Sequence, residues 1–340
     1  MQHGPAYVQW EAPAEVTGAP FILIHGGGGQ STDWLLTPDG RPGWAQLLVA
    51  AGHPVYLIDR PGHGRSTYLP EVHGPSLPPS GYDGVHAVFV PHEGTEQAKR
   101  HTAWPWPRKP GHPEIDAVAA AAGLMLADTA AAQAMDRDRV VDLLERIGPA
   151  VLVAHSSGSP AAWLAADARP HRVLAVVSIE PIGPPFKDLG PRGTLGWGPT
   201  AAPLTYEPPA STPEELSLQT CEPAQGQVHH RVEQREPARE LTQLAKVPTA
   251  VVSGEASGRN LDDAFTVAYL RQAGVNVTHL VLADYGVAGT GHGLIYEANN
   301  DSALQVILAW LRKAIPATTP STPAAVQGQP EGRKNNVSYR

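Results

Sequence analysis

One serine stands where a chain could make it reactive. In Ala154-His155-Ser156-Ser157-Gly158, small residues lie two before and two after Ser156, as a nucleophile elbow requires. Such a serine sits on a sharp, strained turn between a strand and a helix, where bulky flanking side chains would collide. A serine hydroxyl attacks poorly at neutral pH unless a neighbouring base takes its proton. His292, in Gly291-His292-Gly293 after the last expected strand, holds the chain position of a triad base. Two acids compete to orient it. Glu180, in Ile179-Glu180-Pro181, closes a strongly apolar strand where an unpaired carboxylate would be costly. Glu255 lies in the glycine-flanked turn Gly254-Glu255-Ala256-Ser257-Gly258. Glu180 is favoured and Glu255 is the alternative. Upstream, His25 is followed by Gly26 to Gly29, the pattern that lines an oxyanion hole. No lysine follows at the spacing of a phosphate-binding loop. The backbone N–H groups of Gly27, Gly28 and Ser157 are the expected oxyanion donors.

These residues need strands that end along one edge. Phe21-Ile22-Leu23-Ile24, Val55 to Ile58, Val151 to Ala154, Val173 to Ile179, Pro248 to Ser253 and Val277 to Ala283 are apolar runs of strand length. Helical stretches alternate with them: Trp44 to Ala51, Ala117 to Ala134, Asp136 to Ile147, Leu261 to Ala273 and Leu304 to Ile315. Alternation of this kind predicts an α/β fold with a doubly wound, mostly parallel sheet, whose ligands bind beyond the carboxyl ends of the strands. The glycine loop, Ser156, both glutamates and His292 all fall at or after such ends. Asp59 and Arg60 in the turn-rich Asp59-Arg60-Pro61-Gly62-His63-Gly64-Arg65-Ser66 are expected to hold that loop by hydrogen bonds and an ion pair, with His63 structural. Periodicity is lost over about 67–113 and 182–245. Both segments are expected to roof the site as cap insertions, with Trp104 and Trp106 in the first. One domain is expected over 1–316, and the Thr-, Pro- and Gln-rich tail, 317–340, is expected to be disordered.

Composition narrows the class. A net charge of −8 without a basic cluster argues against nucleic acid. No apolar run approaches the roughly 20 residues of a membrane span. A single cysteine, Cys221, cannot form an internal disulfide. The beginning of the chain lacks the basic start and apolar centre of a secretory leader, so a cytoplasmic location is expected; secretion or a periplasmic location would require a leader already removed. His229-His230 lacks the spaced partners of a metal site. The expected partner is a small-molecule substrate, and nothing in the sequence excludes a homo-oligomer.

Taken together, His25-Gly26-Gly27-Gly28, Thr37-Pro38-Asp39-Gly40-Arg41-Pro42-Gly43-Trp44, Asp59 to Ser66, Ala154 to Gly158, Ile179-Glu180-Pro181 and Gly291-His292 resemble the α/β-hydrolases, and more closely the esterase-713-like bacterial esterases. The resemblance covers roughly Gly18 to Arg312, with Ala154 departing from the usual glycine. It implies hydrolysis of a small carboxylic-ester substrate by a Ser-His-Glu triad, with Glu180 as the acid and without metal or organic cofactor. A serine at the elbow counts against epoxide hydrolases and haloalkane dehalogenases, which place an aspartate there. Lactones, a cofactor-free haloperoxidase-like activity and a ligand-binding role on the same scaffold remain open.

Overall fold

Seven strands carry the molecule: β1 (Tyr7–Glu11), β2 (Phe21–Ile24), β3 (Val55–Asp59), β4 (Ala150–His155), β5 (Val173–Ile179), β6 (Thr249–Ser253) and β7 (Val277–Val281). The computed structural model describes residues 4–91, 93–222 and 230–315. The sheet order is β1-β3-β2-β4-β5-β6-β7. Every neighbouring pair is parallel except β1 with β3. The fold is therefore the expected doubly wound α/β arrangement, with an antiparallel edge strand added by β1. That strand carries Trp10, 64% exposed, and its polar-apolar mixture gives no buried-strand signal.

The inner strands are buried on both faces because helices cover both, and their side chains divide with period two. Ile22, Ile24, Leu152 and Ala154 pack on one side, beneath Trp163 and Leu164 of the helix Ser159–Ala168. Phe21, Leu23, Val151 and Val153 pack on the other, against Trp44 and Leu48 of the helix Trp44–Ala50 and Leu304 and Ile307 of the helix Asn300–Ala314. Register then places the chemistry. Ile24 lies opposite Ala154, Ala154 opposite Ser178, and Ile179 opposite Val252. Gly26, Ser156, Glu180 and Gly254 consequently leave the sheet side by side. From β2 the chain moves to β3 on one side and later reaches β4 on the other, so these ends form a switch point where open α/β sheets bind ligands.

The insertions differ from expectation. Residues 67–113 contain short helices, Pro70–His73, Tyr82–Phe89 and Glu96–Arg100. The helix expected over Ala117 to Ala134 is broken. One helix spans Pro113–Ala120, and a second runs Thr129–Ile147 without interruption at Asp136. Gly123 causes the break by donating its N–H to the Gly28 carbonyl at 2.6 Å, and Asp128 restarts the helix by capping Ala131 N at 3.0 Å. The second insertion, 182–245, starts at the strand ends, where the Ile182 N–H donates to the Ser156 carbonyl at 3.1 Å, and then packs over the face of the sheet that carries Trp163. Gln133 binds the backbone of Ala201 and Ala202, and Asp167 that of Thr205. The tail, 317–340, lies outside the described residues, as does His229.

Candidate active site

Ser156 follows β4 with φ +52°, and Glu180 follows β5 with φ +43°. Both lie in the left-handed region that non-glycine residues avoid, at a cost of about 1–3 kcal/mol each. Among the described residues only Phe186 and Ser217 share this property. Half of the non-glycine strain therefore sits at the strand ends. Gly158 is required by close approach: a Cβ there would lie 2.3 Å from the His25 carbonyl oxygen. Ala154 is accommodated within β4, fully buried.

The three side chains form one line. Ser156 Oγ stands 3.2 Å from His292 Nε2, and His292 Nδ1 stands 2.6 Å from Glu180 Oε2. Glu180 Oε1 accepts the Gly254 N–H at 2.7 Å. Ser156 is 8% exposed, His292 2% and Glu180 0%. Burial, with the Arg259 charge second, lowers the His292 pKa well below 6.5, so the imidazole is neutral. It donates from Nδ1 to Glu180 and accepts the serine proton at Nε2. Burial raises the Glu180 pKa, opposed by the Gly254 N–H, Ser257 and Arg259. Such a line can draw a proton from serine and return it to a leaving group.

Glu255 is elsewhere. Its Oε2 accepts the Gly289 N–H at 2.9 Å, so it braces the loop that carries His292 without touching the ring. Other groups hold the same loop. His155 Nε2–H donates to the His292 carbonyl at 3.0 Å, and both oxygens of Glu297 accept the Gly291 N–H at 3.0 and 2.9 Å. Glu297 is fully buried and paired with the equally buried His101 at 2.8 Å. Sequence reasoning missed this pair, which ties the first insertion to the His292 loop; the one signal was a carboxylate inside the apolar run Leu294-Ile295-Tyr296-Glu297-Ala298.

A cavity of about 190 Å³ opens on Ser156, His155 and His292, floored by Gly26 to Gly29. Among the described residues, neither Gly27 nor Gly28 donates its N–H to a backbone carbonyl. Val85, Val88 and Phe89 from the first insertion and Val118 form its apolar wall, and Asp33 and Tyr296 a polar corner. Burial raises the Asp33 pKa to about 7. Trp104 and Trp106 do not reach the cavity. They pack edge to face with each other, ring centroids 4.9 Å apart, behind the His292 loop. None of the described residues of 182–245 lines it either, which corrects the expectation of a roof from both insertions. At the surface, His230 stands 3.9 Å from Glu222. Among the described residues, no three His, Cys, Asp or Glu side chains gather as metal ligands would.

A family model described as the alpha/beta hydrolase fold matches residues 19–190. A probable secreted lipase, phiG, of Fungal sp. (strain ATCC 74256) is 38% identical over 314 residues, covering 90% of this chain and 85% of that protein. The chain belongs to the α/β-hydrolase family. The solved structure of a bacterial esterase superposes on this hydrolase with a TM-score of 0.61 at 21% identity, covering 91% of this chain and 85% of the other, and so shares its fold. The α/β-hydrolase fold read from the motifs is thus met in structure. Its relatives include enzymes named for ester cleavage, a hydrolase acting on esters being the class they share. No described helix of the hydrolase is long and apolar enough to cross a membrane.

Proposed function

We propose that this α/β-hydrolase cleaves carboxylic esters through an acyl-enzyme on Ser156, with His292 as general base and acid and Glu180 as its orienting partner. The observation that carries the reading is the unbroken line Ser156–His292–Glu180, at 3.2 and 2.6 Å, opening on a cavity. Ser156 Oγ attacks the ester carbonyl carbon while its proton passes to His292 Nε2. The N–H groups of Gly27 or Gly28 and of Ser157 hold the resulting oxyanion, each donor worth about 3 kcal/mol. As the intermediate collapses, the C–O bond to the alcohol breaks and the imidazolium returns the proton to the leaving alkoxide. Water then repeats the sequence on the acyl-serine and releases the carboxylic acid.

Cavity size supports short esters. A volume of about 190 Å³ falls below the roughly 300–1,000 Å³ of pockets that take drug-sized ligands. The lipase name of the fungal relative favours a second reading, long-chain acyl esters, and its secreted designation supports an extracellular location over a cytoplasmic one. Turnover of p-nitrophenyl esters from acetate to laurate, beside a triglyceride emulsion, separates the readings. Maximal kcat/KM at short chains supports the esterase, and preference for laurate or the emulsion supports the lipase. A folded protein that turns over no ester, with lactones included in the panel, refutes the ester-hydrolase reading.

A further inference from the structure

The glycine turn is gripped from behind at its first carbonyl. Arg60 Nη2 donates to the Gly26 oxygen at 2.7 Å, and the His25 ring does so at 2.9 Å. The other contact of His25 identifies the donating nitrogen. His25 Nε2 accepts the Arg60 backbone N–H at 3.0 Å, so the ring proton resides on Nδ1 and points at Gly26. Arg60 is aimed in turn by Asp136, Nη1 to Oδ2 at 2.9 Å, with the two side chains 6% and 3% exposed. The Gly29 N–H reaches the same carbonyl at 3.4 Å, closing a four-residue turn whose third residue, Gly28, has φ +64°. That is a type II turn, which needs glycine there.

A trans peptide is planar, and its C=O and N–H point in opposite directions. Fixing the Gly26 carbonyl toward Arg60 and His25 therefore aims the Gly27 N–H away from them. Arg60 is buried behind the cavity, whereas Gly27 lines it. Gly27 also lies against the elbow: a Cβ there would stand 3.0 Å from Ser157 Oγ. A buried ion pair is seldom explained by stability, because apolar residues of similar volume commonly replace one without loss. Here the guanidinium fork serves two acceptors, the Asp136 carboxylate and the Gly26 carbonyl, a task that suits arginine and not lysine.

We propose that Arg60, aimed by Asp136 and seconded by His25, is the positioning residue of the oxyanion hole: it locks the Gly26–Gly27 peptide so that the Gly27 N–H meets the oxygen of the tetrahedral intermediate. The inference rests on Ser156 being the nucleophile.

Two variants test it. Arg60→Lys loses the fork. The double variant Arg60→Met with Asp136→Leu removes the pair without stranding a buried charge. For each, kcat and KM on p-nitrophenyl butyrate are normalised to active sites titrated by a fluorophosphonate. The inhibition constant of a trifluoromethyl ketone, which forms a hemiketal oxyanion on the serine, is measured beside them. We expect kcat to fall by about 10- to 100-fold, part of the 10²–10³ carried by one oxyanion donor, with KM within about twofold. The ketone should weaken by the factor lost in kcat/KM. A folded variant with wild-type kcat and ketone affinity overturns the proposal, as does a loss of kcat that leaves ketone affinity unchanged. If the wild-type protein neither turns over the ester nor binds the ketone, the Ser156 assignment fails instead, a result distinct from any seen only in the variants.

Discussion

Replacing Glu180 by glutamine changes one oxygen to an NH₂ group at constant shape, and the hydrogen bonds around it fix the consequence. The carboxylate accepts two donors, the Gly254 N–H at 2.7 Å and His292 Nδ1–H at 2.6 Å, at full burial. Glutamine can accept only one of them. If its oxygen stays with Gly254, its NH₂ faces Nδ1. The ring proton then shifts to Nε2, where it points at Ser156 and cannot accept the serine proton. If the amide flips, NH₂ and the Gly254 N–H face each other as buried donors, which costs about 1–3 kcal/mol. The first outcome is the tautomer error that lowers kcat by about 10⁴ in the trypsin triad. A loss of roughly 10³- to 10⁴-fold, or about 4–5.5 kcal/mol of transition-state stabilisation, is expected here. Glu255→Gln keeps an oxygen for the Gly289 N–H and should stay within about threefold of wild type. The assay is kcat on p-nitrophenyl butyrate near neutral pH, with thermal melting to confirm folding. If Glu255→Gln were the more damaged, or Glu180→Gln stayed within tenfold of wild type, the assignment of the acid would be wrong.

The other expectations concern pH and the cavity wall. Burial and the Arg259 charge depress the His292 pKa, and a general base works only when neutral, so activity should persist into mildly acidic solution. A kcat/KM profile should show its acid limb centred below 6.5; a midpoint above 7 would contradict the electrostatics. Phe89 lines the cavity and stacks on His292, with ring centroids 5.9 Å apart, so Phe89→Ala should shift ester preference toward longer acyl chains. Trp104→Ala should instead cost about 3–5 kcal/mol of stability and leave the chain-length profile alone, read by chemical denaturation beside the ester series.

Much of the candidate site was legible because its members stand at strand ends. Ser156, Glu180 and the Gly26–Gly29 loop each come after a continuously apolar run, and parallel pairing in register makes such ends neighbours. His292 was legible from chain order. The acid could be favoured from sequence because Glu180 closes a strand with no other partner in view, whereas the task of Glu255 depends on Gly289, distant in the chain. What escaped is of that second kind. His101 and Glu297 are 196 positions apart, and nothing local joins them. Asp136 looked like a helix start, yet it sits mid-helix because Asp128 caps the helix upstream, and its partner is Arg60, which also reaches the Gly26 carbonyl. Trp104 and Trp106 suggested a roof by composition. Their packing behind the His292 loop depends on tertiary contacts such as Ala103 N to the Gly289 carbonyl at 3.0 Å. The edge strand Tyr7–Glu11 has half-exposed residues and no continuous apolar run to announce it.

The most direct test of the central claim is to react the folded protein with a serine-directed fluorophosphonate and locate the adduct by peptide mass spectrometry, with Ser156→Ala in parallel for labelling, ester turnover and thermal melting. The account predicts a single adduct on Ser156. It also predicts that Ser156→Ala neither labels nor turns over ester while keeping a near-wild-type melting temperature. An adduct on Ser157 or Ser159, or ester turnover retained by Ser156→Ala, would contradict it.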